Sequence, residues 1–213
     1  MIGDLTPRLA VTLRDRERLA AAVRRLTALL VTTDAPSDAY VAATVAVERA
    51  IETLAPHVAS PPLPRFNAPG ASSTPNDFFP FDPIMGRLSP LALPVELSWE
   101  EEKCIGRARF DTPYEGPPGC VHGGVIAGVF DQILAIPNIM MGTPGPTQRL
   151  ALRYRRPTPL RTDLVFEGWR TSVDGKHAHA RGRLLAAGEV TVEAEGTFVQ
   201  VSLEQLMAMG RRR

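Results

Sequence analysis

A chain of 213 residues, 44% hydrophobic and 22% charged, is long enough for one large domain or one domain with an appendage, and its composition is that of a globular protein. Its formal net charge of +1 gives no electrostatic reason to expect nucleic acid or an anionic membrane as partner, and the only basic cluster is the terminal Arg211-Arg212-Arg213. Two cysteines, Cys104 and Cys120, fit a reducing compartment better than a disulfide framework, though the two could still pair. No transmembrane segment is expected, and charges at Asp4, Arg8, Arg14 and Asp15 leave no signal-peptide core, so a cytoplasmic protein is the default expectation.

Residues 8–31 carry Leu9, Leu13, Leu19, Val23, Leu26 and Leu30 mostly three or four apart, which predicts an amphipathic helix. Thr32 to Pro36 breaks it. Ser37 then caps a second helix to about Leu54, with Tyr40, Val47, Ile51 and Leu54 on one face. Two helices joined by a short loop read as a helical hairpin over residues 1–58. It would cover an apolar surface of the main domain or of a partner subunit, or form a lid. A membrane-surface role fits less well, because the polar face mixes acids with bases. Residues 59–80 hold Pro61, Pro62, Pro64, Pro69 and Pro75 and read as a linker, with Phe78-Phe79-Pro80-Phe81 anchoring its end. A main domain is expected over 81–203 and a tail over 204–213.

Alternation at Val95–Trp99 and again at Lys103–Phe110, around Glu100-Glu101-Glu102, predicts a strand hairpin. A helix over 122–136, ending before Pro137, comes next. Strands follow over 147–155, from Asp163 to Val173, on to about Leu185, and over 190–198, with Asp174-Gly175 and Ala187-Gly188 as turns. This pattern is α+β: an antiparallel sheet wrapped around one long helix.

The helix is the informative element. Pro117-Pro118-Gly119 opens it, and Val125, Ile126, Val129, Phe130, Ile133 and Leu134 form an apolar stripe. Its start at Gly123-Gly124 leaves backbone N–H groups uncovered and lets a ligand approach closely, which favours an oxyanion. Two turns on sits Asp131, a carboxylate whose placement in an apolar helix needs a reason. An anion-stabilising helix start followed by an acid reads as an active site.

His122-Gly123-Gly124 with an Asp nine residues after the His resembles the central helix of hotdog-fold acyl-CoA thioesterases of the PaaI-like type and of the animal thioesterase superfamily members. The resemblance continues at Thr147, sixteen residues after Asp131, and at the strand running into Arg155-Arg156-Pro157, and spans residues 80–201. It implies a hotdog fold and hydrolysis of acyl-CoA to free acid and CoA. Some relatives carry an Asn six residues before the His; here that position is Gly116.

Thioester hydrolysis needs an oxyanion stabiliser and a base or nucleophile. Gly123, with Gly124 beside it, supplies the first and Asp131 the second. His122 would orient the turn or act directly, and Thr147 would hold the attacking water or be an ordinary strand threonine. Eight residues of helix put Gly123 and Asp131 about 12 Å apart along the axis. One helix therefore serves one carbonyl poorly, whereas two antiparallel copies serve it well, which agrees with the dimer-interface sites the resemblance implies. A homodimer, possibly paired into a tetramer, is expected. Arg155, Arg156, Arg161, Lys176 and His177 are candidate cations for the CoA phosphates. No cofactor is expected, and no metal-ligand spacing or dinucleotide fingerprint appears. Two other readings stay open: a non-catalytic acyl-CoA-binding regulatory module, and a hotdog enoyl hydratase or dehydratase.

Overall fold

The computed structural model of the protein describes residues 7–58, 75–77, 79–202 and 205. Most of the linker expected over 59–80 and of the tail over 204–213 lies outside the described residues, as does Phe78. Six strands form one antiparallel sheet: β1 (Val95–Glu100), β2 (Lys103–Ala108), β3 (Thr147–Tyr154), β4 (Leu164–Asp174), β5 (His177–Ala186) and β6 (Glu189–Val199). Their order is β1-β2-β4-β5-β6-β3, so β1 and β3 are the two edges. Among the described residues three α-helices accompany them: α1 (Pro7–Thr32), α2 (Ser37–Leu54) and α3 (Gly123–Met140). The sheet curls around α3, which is the hotdog architecture.

Tight turns fix the registers. Glu101 and Glu102, both at positive φ, close the β1–β2 hairpin; Ala187 and Gly188, also at positive φ, close β5–β6. Gly175 and Lys176 connect β4 to β5, one residue later than the Asp174-Gly175 turn expected from sequence.

α3 buries Ile126, Val129, Phe130, Ile133, Leu134 and Ile136 against Phe110, Phe166, Leu164, Leu184, Val192 and Phe198. Room for it comes from a row of glycines across the sheet. A Cβ at Gly106 would come within 2.7 Å of Ile133, at Gly168 within 2.6 Å of the same residue, at Gly182 within 3.0 Å of Leu134 and Phe130, and at Gly196 within 3.2 Å of Leu134. Missing side chains on four strands thus form the groove in which the helix lies.

The helix does not stop before Pro137. It runs through that residue to Met140. Proline leaves the Ile133 carbonyl without its usual helical donor, and that carbonyl lies 2.6 Å from where Gly168 would carry a Cβ. Arg170 closes the far end, its guanidinium donating to the Met141 carbonyl at 3.3 Å and to the Thr143 hydroxyl at 3.2 Å. By length and composition α3 is the one described helix apolar enough to cross a membrane. Here it is the core of the sheet. Cys104 is buried and Cys120 half-buried, and both are free thiols; burial pushes the Cys104 thiol up to about 12.

Candidate active site

The approach to α3 is a tightly fastened loop. Gly119 takes a positive φ after Pro117-Pro118, and its N–H donates to the Glu115 carboxylate at 2.6 Å. Val121 N–H donates to Thr158 O, Leu160 N–H to Gly119 O and His122 N–H to Tyr114 O, at 2.8, 2.9 and 2.8 Å. Thr158 is itself buried and bonded to the Thr191 hydroxyl at 2.9 Å. The turn is therefore pinned to the strand-end segment on one side and to the 112–114 turn on the other.

His122 is the helix N-cap. Its Nδ1 accepts from Gly124 N–H at 2.9 Å, which leaves the ring proton on Nε2. This is the turn-orienting arrangement, and it takes up the Gly124 N–H. Gly123 N–H, by contrast, has no hydrogen-bond partner among the described residues. The other half of its peptide, the His122 carbonyl, accepts from both Val125 and Ile126 N–H at 3.0 and 3.2 Å, which polarises the free donor further. Of the two glycines, Gly123 is the one equipped to meet an oxyanion. Gly116 lies directly beneath: a Cβ there would come within 2.8 Å of His122 Cα. The Asn seen at that position in some relatives has no space in this loop.

Asp131 is half-buried on the flank of α3 beside the edge strand β3. Thr147, the first residue of β3, donates its hydroxyl to Asp131 Oδ1 at 2.8 Å, leaving Oδ2 without a partner among the described residues. The sequence-derived pair is brought together within one chain. Gly123 and Asp131 stay two turns apart.

Sequence reasoning missed Tyr154. Its phenol, at the far end of β3, donates to the Gly123 carbonyl at 2.8 Å and lies 3.2 Å from where Gly123 would carry a Cβ. Partial burial raises its ionisation above the ordinary tyrosine value, keeping it a donor. Strict alternation sends residues 147 and 154 to opposite faces. A bulge between Thr147 and Arg149 absorbs one residue and returns both to the face that meets α3. A tyrosine on the same face as Leu150 and Leu152, which pack on the core, is the only signal the sequence offers, and a bulge hides its relation to Thr147.

The candidate cations fall into two groups. Arg155 is paired with Glu193 at 2.6 Å and Arg156 with Glu189, both beside Tyr154 at the Gly123 end. Lys176 and His177 sit at the other end of the sheet, where His177 is opposite Val199 and Thr147 opposite Phe198. One chain does not bring the four together. Arg161 is a clamp for the loop, bonded to Asp111 and Thr112 at 2.7 Å each. Its charge, after the Thr112 N–H bond, helps hold the Asp111 carboxyl below the usual range. A cleft of about 1030 Å³ lies elsewhere, between α1 and strands β1, β2 and β4, and contains none of the residues of the α3 start.

A start-of-helix donor and, two turns on, a carboxylate braced by a hydroxyl lie on the helix around which the sheet curls, in a hotdog fold. The chain belongs to the thioesterase superfamily: it is 32% identical to a solved thioesterase superfamily protein, with a TM-score of 0.75 over 86% of this chain and 94% of that one. That alignment takes in more of the chain than residues 81–203 contain. Zebrafish thioesterase superfamily member 2 is 18% identical, with a TM-score of 0.48 over 51% of this chain and 82% of its own. A hypothetical thioesterase with coenzyme A from Streptococcus pneumoniae is 20% identical, with a TM-score of 0.47 over 51% and 91%. No protein-family model matches the chain.

Proposed function

We propose that the protein hydrolyses acyl-CoA thioesters to free acid and CoA, at two equivalent sites built by two copies of the chain. The observation that carries this reading is the division of labour along α3. The free Gly123 N–H is at one end, and the Thr147-braced carboxylate of Asp131 is two turns on. A thioester carbonyl oxygen sits on the Gly123 N–H of one copy. Water held by Oδ2 of the other copy's Asp131 attacks the carbonyl carbon, its proton passing to the carboxylate. The tetrahedral oxyanion is stabilised by the Gly123 donor and the helix start. Collapse breaks the C–S bond, and the proton on Asp131 goes to the leaving thiolate.

Two features support the second copy. Ala127 and Asp131 are only half-buried, which leaves the carboxylate side of α3 incompletely covered among the described residues. Strand β3 is a sheet edge, unpaired on its outer side among the described residues. Antiparallel apposition also brings Arg155 and Arg156 of one chain to the same mouth as Lys176 and His177 of the other, uniting cations that one chain keeps apart. Lys176 makes no ion pair among the described residues, which suits it to a CoA phosphate better than the two paired arginines.

Thiol release from short, medium, long and aromatic acyl-CoAs tests this directly. The intact protein releases thiol from at least one class, and Asp131→Asn lowers turnover by about a hundredfold or more with the fold unchanged. No release from any of them, or equal release by both proteins, sinks the hydrolase reading.

A further inference from the structure

α1 lies on its own domain by an unexpected side. The residues turned inward are Arg16, Ala20, Arg24 and Ala28, four apart; Ala20 is buried, and Arg24 donates to the Ser89 carbonyl at 2.6 Å. The stripe from Leu19 to Leu30 lies roughly 110° round the helix from that side. Leu19, Val23, Leu26 and Leu30 are 42%, 38%, 40% and 64% exposed. α2 buries nothing at all, and Tyr40, Val47, Ile51 and Leu54 stand in solvent with Val41 and Val45 beside them. The hairpin is open. Its helices do not pack along each other's length, and Tyr40 holds the connection, its hydroxyl donating to Thr33 O at 2.8 Å and accepting from Ala35 N–H at 3.3 Å.

Both stripes repeat at intervals of three, four or seven residues, the spacing of a helix–helix seam. An amphipathic helix of 18 residues draws most of its stability from packing that face. The charges say what it packs on. With Arg16 and Arg24 turned inward, the exposed charges of α1 are Arg14, Arg18 and Arg25 against Asp15 and Glu17, a net +1; α2 has Asp38, Glu48 and Glu52 against Arg49, a net −2. A basic apolar-seamed helix and an acidic one in the same chain make a self-complementary surface, which is what a two-fold pairing of identical chains requires. An anionic membrane would repel α2.

We propose that the N-terminal helices are an exchanged arm: α2 of one copy lies along the leucine stripe of α1 of a second copy, and reciprocally, making a four-helix contact outside the catalytic site. The inference shares with the functional reading only the presence of a second copy and does not depend on hydrolysis.

The test uses full-length chains carrying Cys120→Ser, since the other native thiol, Cys104, is buried. One chain bears Leu26→Cys and another Ile51→Cys. After they are refolded together, a short flexible bis-maleimide is added, and products are separated under denaturing conditions. The mixture is expected to give a cross-linked two-chain band that neither variant gives alone. A chain bearing both substitutions is expected to cross-link between chains rather than within one. A charge reversal, Glu48→Arg with Glu52→Arg, is expected to lower the yield at least severalfold, and Arg18→Glu with Arg25→Glu to restore it. Absence of a two-chain band while circular dichroism shows the helices formed overturns the proposal. So does a double-substituted chain that links only to itself. Acyl-CoA hydrolysis measured on the same samples separates the two readings: activity without the cross-link defeats the arm exchange alone, and the cross-link without activity defeats the hydrolase alone.

Discussion

Asp131 and Thr147 meet through one hydrogen bond of 2.8 Å, and that bond gives the carboxylate its direction. Replacing Thr147 with Val leaves Oδ1 unbraced. A hydrogen bond to a charged group contributes about 1.5–3 kcal/mol, so thiol-release kcat is expected to fall about ten- to a hundredfold. An unchanged kcat would make Thr147 an ordinary strand residue. Tyr154 acts one step back, through the Gly123 carbonyl. Tyr154→Phe removes a neutral hydrogen bond of about 0.5–1.5 kcal/mol, and kcat is expected to fall about two- to tenfold. Loss of protection at the Gly124 and Val125 amides in hydrogen exchange is expected alongside, and native protection in this variant would contradict the positioning role. At this scale His122, Gly123, Asp131 and Thr147 were legible because each stands at a fixed interval along one helix or at the head of one strand. Tyr154 was not, because its side depends on a bulge that no period-two count contains. That His122 takes up the Gly124 N–H was equally hidden, since only the ring's rotation in the folded turn decides which glycine stays free.

The helix and the sheet meet through absent side chains. Gly168 is the tightest point, with both the side chain and the carbonyl of Ile133 within 2.6 Å of its missing Cβ. Gly168→Ala is expected to destabilise the fold by about 1–3 kcal/mol, the usual range for overpacking, measured as a shift in the urea midpoint at constant slope. A change within experimental error would mean that the helix can move off the sheet freely. The elements themselves were readable from hydrophobic period: helices α1 and α2, the β1–β2 hairpin, and four strands after α3. The end of α3 was not. Proline stops a helix where its missing N–H and its ring meet an intact next turn, but here the freed Ile133 carbonyl lies beside a glycine strand and Arg170 holds the terminus. Both partners are about thirty residues or more away in sequence. The inward face of α1 was misleading for a related reason. Leucines at helical spacing say that a stripe is buried somewhere, and leave open whether the chain's own domain covers it.

For the whole molecule, one chain holds every residue of the proposed chemistry yet separates the donor from the carboxylate by two turns of one helix, about 12 Å of rise. The proposed pairing of two copies would close that separation, and mixed dimers test it most directly. One chain carries Asp131→Asn; the other carries Gly123→Val, whose side chain would crowd the Tyr154 phenol 3.2 Å from the Cβ position. Each is expected to be nearly inactive alone. Refolded together, half of the dimers pair an intact Gly123 from one chain with an intact Asp131 from the other, so thiol release is expected to recover to about a quarter of the intact protein's rate. Mixtures as inactive as the separate variants, with dimers present, would show that each site draws its donor and its carboxylate from the same chain, and the two-chain mechanism would be wrong.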